Sequence, residues 1–125
     1  MNHLIDVNVL LAAIWESHPH HDRAFNWLAG KNVTVCPLTE LGFIRISTQP
    51  KAFNAPVEKA RKLLAAFLAE RGAARISDDL PALDSSAKKS EGVTDSYLAA
   101  LAEHHGLKLA TFDCGIKHPA ATVIH

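Results

Sequence analysis

The sequence predicts an α/β fold, with a central parallel sheet of four to five short strands flanked by helices in three layers. Short apolar segments alternate with segments whose apolar residues recur at helical spacing, which is typical of strands alternating with helices. Strands joined in this way run parallel, with right-handed crossovers. The chain has 125 residues, 48% of them apolar and 21% charged, so we expect residues 1–125 to form a single globular domain.

Composition excludes several classes of protein. Thirteen basic and thirteen acidic residues balance, so a polyanion would have to bind at a local patch or through a metal ion. The two cysteines, Cys36 and Cys114, lack paired spacing, which favours a reducing compartment over a disulfide framework. No apolar run approaches the ~20 residues of a membrane span, and the N-terminus lacks the basic region of a signal peptide. We therefore expect a cytoplasmic protein with no membrane segment.

Each element is predicted from its apolar period and its end signals. Strands are predicted over residues 4–5, 33–36, 74–76, 108–111 and 122–124. Helices are predicted from residues 6–8 to 15, and over 19–29, 38–46, 57–71 and 92–105, with one or two further turns within 80–89. Thr39 and Thr94 are the expected N-caps of their helices, and Leu41 and Phe43 are expected in the core. Gly30, Gly72 and Gly106 are the predicted helix ends.

Four acidic residues stand at the junctions of these elements. Asp6, Glu40 and Asp113 follow predicted strands, and Asp95 begins the helix that leads into the fourth strand. Each has an ordinary structural interpretation by itself, as a helix cap, a residue favoured by the helix dipole, or a turn residue. Because the carboxyl ends of parallel strands share one edge of a sheet, we expect the first three acids to lie there. Asp95 joins them only if the segment before its helix crosses to that edge.

Convergent carboxylates repel each other, and a divalent cation removes that cost. All-oxygen ligands suit Mg²⁺, with Mn²⁺ as a substitute, and the chemistry that such a site predicts is phosphodiester hydrolysis by metal-activated water. Asn8, Thr94 and Ser96 are placed to orient the carboxylates.

Two further features have plainer explanations. His18, His20 and His21 crowd one turn without a second ligand pair downstream, so a solvated helix start is favoured over a zinc site. For Arg45, a solvated or salt-bridged side chain is favoured over a phosphate contact.

Four motifs together resemble the PIN-domain ribonucleases of the VapC toxin type. They are IDVNVLL at the start, TELGFIRI around Glu40, VTDSYLAALAEHHG around Asp95 and LATFDCGI around Asp113, in family order and covering nearly the whole chain. The resemblance implies a PIN-like, Rossmann-like sheet and an Mg²⁺-dependent endoribonuclease acting on an RNA such as tRNA or rRNA. It also implies the toxin role of a type II toxin–antitoxin pair, a VapB-type antitoxin that occludes the site, and a homodimer. The family's acids fall on Asp6, Glu40, Asp95 and Asp113, with Asn8 and Thr94 as supporting groups.

Two other classes of function remain open at this point. A catalytically idle PIN-like binding module has the same fold, and the presence of the acids does not by itself establish activity. A receiver-type phosphoacceptor domain has a similar length and an acidic Mg²⁺ pocket. Receivers usually carry adjacent acids after the first strand, whereas this chain has a single acid there, Asp6.

Overall fold

A parallel β-sheet forms the centre of the molecule. The structure, a computed structural model, describes residues 2–84 and 92–125. The strands are β1 (Asn2–Ile5), β2 (Asn32–Val35), β3 (Ala74–Arg75), β4 (Lys108–Thr111) and β5 (Ala121–Val123). The helices are α1 (Val7–Ile14), α2 (His21–Leu28), α3 (Pro37–Ser47), α4 (Val57–Arg71) and α5 (Val93–His104), with a 3₁₀ turn over Ala82–Asp84.

The strand order creates a crevice beside the first strand. The five strands are ordered β3-β2-β1-β4-β5 across the sheet, and every neighbouring pair is parallel. The chain therefore moves outward from β1 to β3 on one side and resumes on the other side of β1 with β4. Ligands of open α/β sheets bind outside the carboxyl ends of the strands at such a reversal. The fold thus places the crevice between the ends of β1 and β4.

Alternate residues of the strands pack into two separate cores. Ile5 and Ala110 belong to the cluster that includes side chains of α1, α2, α3 and α4. Their neighbours Leu4 and Leu109 belong to the cluster formed with α5 on the opposite face. This alternation follows from the two-residue period of a strand. It gives the predicted three layers, with the sheet between α5 and the other helices.

The structure corrects two predicted helix caps. The helix expected to begin at Thr39 begins at Pro37, with Cys36 as its N-cap. Proline suits the first helical position because its fixed φ is helical and its missing N–H would have no partner there. Thr39 supports the same end from inside the helix, since its hydroxyl accepts a hydrogen bond from the Cys36 N–H (3.1 Å). In α5 the N-cap is Gly92, so Thr94 lies within the first turn.

The burial pattern of α3 also differs from the prediction. Phe43 is fully buried as expected, whereas Leu41 is 65% exposed. Helical spacing places the two residues on different sides of α3, and only the side of Phe43 faces the core. By contrast, α4 spans Val57–Arg71 as predicted and ends at Gly72, whose φ of 58° is left-handed. Part of the predicted turn within 80–89 lies outside the described residues.

Among the described residues, no helix is both long enough and apolar enough to cross a lipid bilayer.

Candidate metal centre

Asp6 is a helix cap and a crevice residue at the same time. It directly follows β1 and is the N-cap of α1, where its Oδ1 accepts a hydrogen bond from the Val7 N–H (2.8 Å). Its Oδ2 accepts a hydrogen bond from the Thr111 hydroxyl at the end of β4 (2.8 Å). Only 4% of Asp6 is exposed, and this burial raises the pKa of its carboxyl against the lowering effect of the two hydrogen bonds. Asp6 is therefore the predicted helix cap and lies at the predicted edge of the sheet.

Asp95 lies close to Asp6 and Asp113. Desolvation, the negative charge of Asp6 and a side-chain hydrogen bond with Asp113 together raise the pKa of the Asp95 carboxyl to about 6, and desolvation contributes most. Asp113 also adds to the raised pKa of Asp6. Asp95, in the first turn of α5, therefore lies near the two acids of the sheet edge. Asp113 itself is held by a turn, in which the Gly115 N–H donates to its Oδ1 (2.8 Å).

Thr111 is a site residue that the sequence argument missed. It is fully buried at the end of β4, where its hydroxyl donates to Asp6 and accepts a hydrogen bond from the Asp113 N–H (3.1 Å). One hydroxyl thus positions both acids that flank the crevice. The signal in the sequence was a polar residue closing an otherwise apolar strand, two residues before an acid.

A cavity of about 570 Å³, here called the aspartate cavity, opens beside the carboxylates of Asp6 and Asp95. Polar groups of Asn8, Thr94 and Arg45 line it together with Asp6 and Asp95. Its remaining wall is mostly apolar and consists of Val7, Leu38, Leu41, Gly42 and Ile46. Asn8 and Thr94 therefore lie on the same cavity as the acids, whereas Ser96 does not line it.

Arg45 is the basic residue of the cavity wall. It is exposed, and among residues 2–84 and 92–125 its guanidinium makes no hydrogen bond or ion pair. The sequence analysis favoured a solvated or salt-bridged arginine. The structure shows no salt bridge in the described part of the chain and places the side chain beside the acids.

Glu40 lies apart from the three aspartates. Its carboxylate accepts two hydrogen bonds from Arg75, from Nε (2.9 Å) and from Nη2 (2.6 Å). It lines a different cavity, of about 210 Å³, between α3, α4 and the end of β3. Glu40 points to a different side of α3 because each residue is rotated by about 100° around the helix axis. Leu41 and Arg45 lie on the side that faces the aspartate cavity.

The donor atoms at the crevice fit a hard divalent cation. They are carboxylate oxygens with amide and hydroxyl oxygens beside them. Burial and neighbouring negative charge raise the pKa of Asp95, so a cation beside it would stabilise the ionised carboxylate. Within the described residues, the oxygens of Asp6, Asp95 and Asp113 do not form a set all within 4.8 Å of one another. Mg²⁺ usually keeps several waters and binds a protein through only one or two carboxylates.

The histidines before α2 do not form a metal cluster in the described structure. His18 Nδ1 accepts a hydrogen bond from the His20 N–H (3.0 Å), and His21 Nδ1 lies 2.8 Å from the Ala12 carbonyl oxygen. These ring nitrogens are engaged with the backbone, consistent with the predicted helix start.

Comparison with known proteins identifies the family. The profile of the PIN domain matches residues 3–121, nearly the whole chain. Ribonuclease VapC38 of Mycobacterium tuberculosis is 40% identical over 122 residues, covering 90% of this chain and 86% of that protein. The chain belongs to the VapC family of PIN domains. Ribonuclease VapC44 of the same species, 35% identical over 139 residues, covers 100% of this VapC-family chain and 97% of its own length.

Solved structures support the same fold. VapBC2 from Rickettsia felis, bound to a DNA fragment from its promoter, superposes with a TM-score of 0.63 at 15% identity, covering 98% of this VapC-family chain and 97% of the other. FitAcB from Neisseria gonorrhoeae gives a TM-score of 0.58 at 26% identity, with coverages of 92% and 89%. The predicted α/β fold is confirmed, and the family match decides against the receiver-type alternative.

Proposed function

We propose that this VapC-family chain is a divalent-metal-dependent endoribonuclease and the toxin of a type II toxin–antitoxin pair. The observation that carries the proposal is the convergence of Asp6, Asp95 and Asp113 on the crevice beside β1. Relatives with 40% and 35% identity are named ribonucleases, which supports RNA as the substrate.

In this proposal the three aspartates hold Mg²⁺, for which Mn²⁺ can substitute. Asp6, Asp95 and Asp113 would hold the ion, which would offset their negative charge and supply a metal-activated water for phosphodiester hydrolysis. Thr111 holds Asp6 in place through the hydrogen bond to Oδ2. Asn8 and Thr94 line the same cavity and orient the acids or the waters around them.

Arg45 supplies the positive charge that a neutral chain needs to hold RNA. It lines the aspartate cavity and is free of ion pairs in the described part of the chain, so its guanidinium is available to a phosphate of the substrate. In this role Arg45 would position the phosphate through two hydrogen bonds. Such a contact does not distinguish one base from another.

Glu40 completes the four-carboxylate set that the family resemblance implies, and this role stays a prediction. Its carboxylate is bound to Arg75 and faces the smaller cavity. We therefore assign the metal to the three aspartates and give Glu40 at most a supporting role, reached only when Arg75 releases it.

The partner in this proposal is a VapB-type antitoxin that covers the site, with a homodimer of the toxin. The R. felis neighbour is a VapBC complex, which supports the pairing. Leu41, 65% exposed on the wall of the aspartate cavity, offers an apolar contact of the kind that a protein partner buries.

Cleavage of end-labelled RNA tests the proposed function. Antitoxin-free protein is incubated with tRNA and rRNA in Mg²⁺, in Mn²⁺ and in EDTA, beside the Asp6→Asn variant. We expect cuts at discrete positions that require the metal and disappear in the variant. A folded, metal-binding protein that cuts none of these RNAs would instead support the idle binding module.

A further inference from the structure

Three metal-binding side chains converge away from the aspartate cavity, where the segment after β3 meets the end of α5. Asp79 comes from that segment, His104 is the last residue of α5, and His105 is its C-cap. Asp79 Oδ1 accepts a hydrogen bond from His105 Nε2 (2.8 Å), whose proton zinc would replace, and Asp79 Oδ2 lies 3.9 Å from His104 Nε2. One ligand atom from each residue lies within 4.8 Å of the others, and no second such group occurs in residues 2–84 and 92–125.

The fold holds Asp79 against the helix. The next residue, Leu80, accepts a hydrogen bond at its carbonyl oxygen from the Tyr97 hydroxyl of α5 (2.9 Å). The Leu80 side chain packs against the apolar cluster to which Tyr97 and Leu101 belong. The packing of Leu80 therefore holds the backbone of Asp79 beside the end of α5.

We propose that Asp79, His104 and His105 form a Zn²⁺ site. It is separate from the aspartate centre, the site formed by Asp6, Asp95 and Asp113. Two imidazole nitrogens and one carboxylate oxygen are a ligand set that zinc takes, with water in the fourth position. Tetrahedral bonds of about 2.0–2.2 Å place ligand atoms about 3.4 Å apart, and the observed separations of 2.8 and 3.9 Å lie on either side of that value.

The chemistry of this site differs from that of the aspartate centre. Imidazole nitrogens favour zinc, whereas Mg²⁺ prefers oxygen ligands alone. The side chains of His104 and Asp79 are 51% and 48% exposed, which leaves room for the water ligand. The C-terminal end of a helix also favours a cation, because the last carbonyl groups carry partial negative charge.

A bound zinc ion would clamp the segment after β3 to α5. The first turn of α5 carries Asp95, so the clamp would fix the far end of the helix that presents a carboxylate to the crevice. A ligand that binds only the folded state raises the melting temperature. Zinc is therefore expected to stabilise the protein whether or not Mg²⁺ is present.

Titration of the metal-free protein with Co²⁺, a spectroscopic substitute for zinc, tests the proposal. We expect the visible absorption of a nitrogen-ligated cobalt ion to saturate at one ion per chain and to disappear when Zn²⁺ is added. His104→Ala is expected to weaken binding by at least about tenfold and to abolish the rise in melting temperature with Zn²⁺. Asp79→Asn provides a second test that leaves both imidazoles in place.

Two control variants separate this site from the other metal-binding groups. Asp6→Asn removes an acid of the aspartate centre, and His18→Gln removes a histidine before α2; both are expected to keep the visible absorption of the nitrogen-ligated cobalt ion. Unchanged Co²⁺ affinity in both His104→Ala and Asp79→Asn would overturn the proposal. Loss of binding in Asp6→Asn alone would also overturn it, by locating the ion at the aspartates.

Discussion

The buried carboxylate of Asp6 depends on the hydroxyl of Thr111. Among the described residues that hydroxyl is one of two hydrogen-bond donors to the Asp6 carboxylate, and it also accepts from the Asp113 N–H. Thr111→Val keeps the shape of the side chain and removes the hydroxyl. We expect the free energy of unfolding to fall by about 1–3 kcal/mol, because the buried Asp6 carboxylate and the partly buried Asp113 N–H lose their partner. Denaturant unfolding in EDTA measures this loss.

Thr111→Ser is the matched control, because it keeps the hydroxyl and removes only a methyl group. We expect RNA cleavage by the serine variant to remain well above that of the valine variant. Equal cleavage by the two variants would show that Thr111 acts only through packing.

The raised pKa of Asp95 has a consequence for stability that depends on pH. Its carboxyl titrates at about 6 in the folded protein, against an ordinary value of 3.8. Between these values the folded state binds more protons than the unfolded state, so the contribution of Asp95 to stability falls as pH rises. We expect metal-free Asp95→Asn to be more stable than wild type at pH 7.5 by about 1 kcal/mol, since the partly exposed carboxylate keeps part of its hydration.

The stability gain from Asp95→Asn should shrink toward zero near pH 4, where the wild-type carboxyl is also neutral. Thermal unfolding in EDTA at the two pH values measures the difference. Glu103→Gln, at an exposed position of the same helix, is the control and is expected to change little. A variant less stable than wild type at pH 7.5 would contradict the electrostatic account of the site.

Arg45 is expected to contact the substrate phosphate and to have little role in folding. Arg45→Gln removes the charge of an exposed side chain on the aspartate cavity. Loss of a charge-assisted hydrogen bond of about 1.5–3 kcal/mol corresponds to a decrease in kcat/KM of about 10–100-fold. Arg61→Gln, on the other cavity, is the control and should cleave RNA as the wild type does. Equal losses in both variants would indicate a general charge effect.

At the scale of elements, the approach of α3 to α1 depends on a glycine. A Cβ atom built at Gly42 would lie 2.7 Å from Val7 Cγ2, next to Asp6. Valine is stiff in a helix and cannot turn away, so Gly42→Ala is expected to cost about 1–3 kcal/mol of stability. In a Val7→Ala background the contact is gone, and the same change should become stabilising by up to about 1 kcal/mol. Denaturant unfolding of the wild type, the two single variants and the double variant completes the double-mutant cycle. If Gly42→Ala changed the stability equally in both backgrounds, the close contact would be refuted.

The elements show which signals in the sequence were reliable. The helix α4 carries a regular apolar period and a glycine stop, and its limits were predicted to the residue. The N-caps of α3 and α5 were predicted from threonines, but the proline at the first position of α3 and Gly92 before α5 decided the helix starts. A cap depends on the backbone just before the helix, which side-chain preference alone does not fix.

At the scale of the whole molecule, topology predicted the edge at which the acids meet. Asp6 and Asp113 follow β1 and β4, neighbours in the sheet, so their proximity follows from strand order. Glu40 follows β2, one strand further out, and its helical phase pairs it with Arg75. The direction of the Glu40 side chain and its contact with Arg75, 35 residues further along the chain, depend on tertiary packing. Strand and helix patterns in the sequence do not specify that packing.

Titration of the metal-free protein with Mn²⁺, monitored by calorimetry, tests directly whether the three aspartates hold the metal. We expect saturable binding to the wild type, an affinity at least about tenfold weaker in Asp6→Asn, and an affinity close to wild type in Glu40→Gln. Equal Mn²⁺ affinity of Asp6→Asn and wild type would contradict the assignment. A loss in Glu40→Gln as large as in Asp6→Asn would instead show that Glu40 leaves Arg75 to bind the metal.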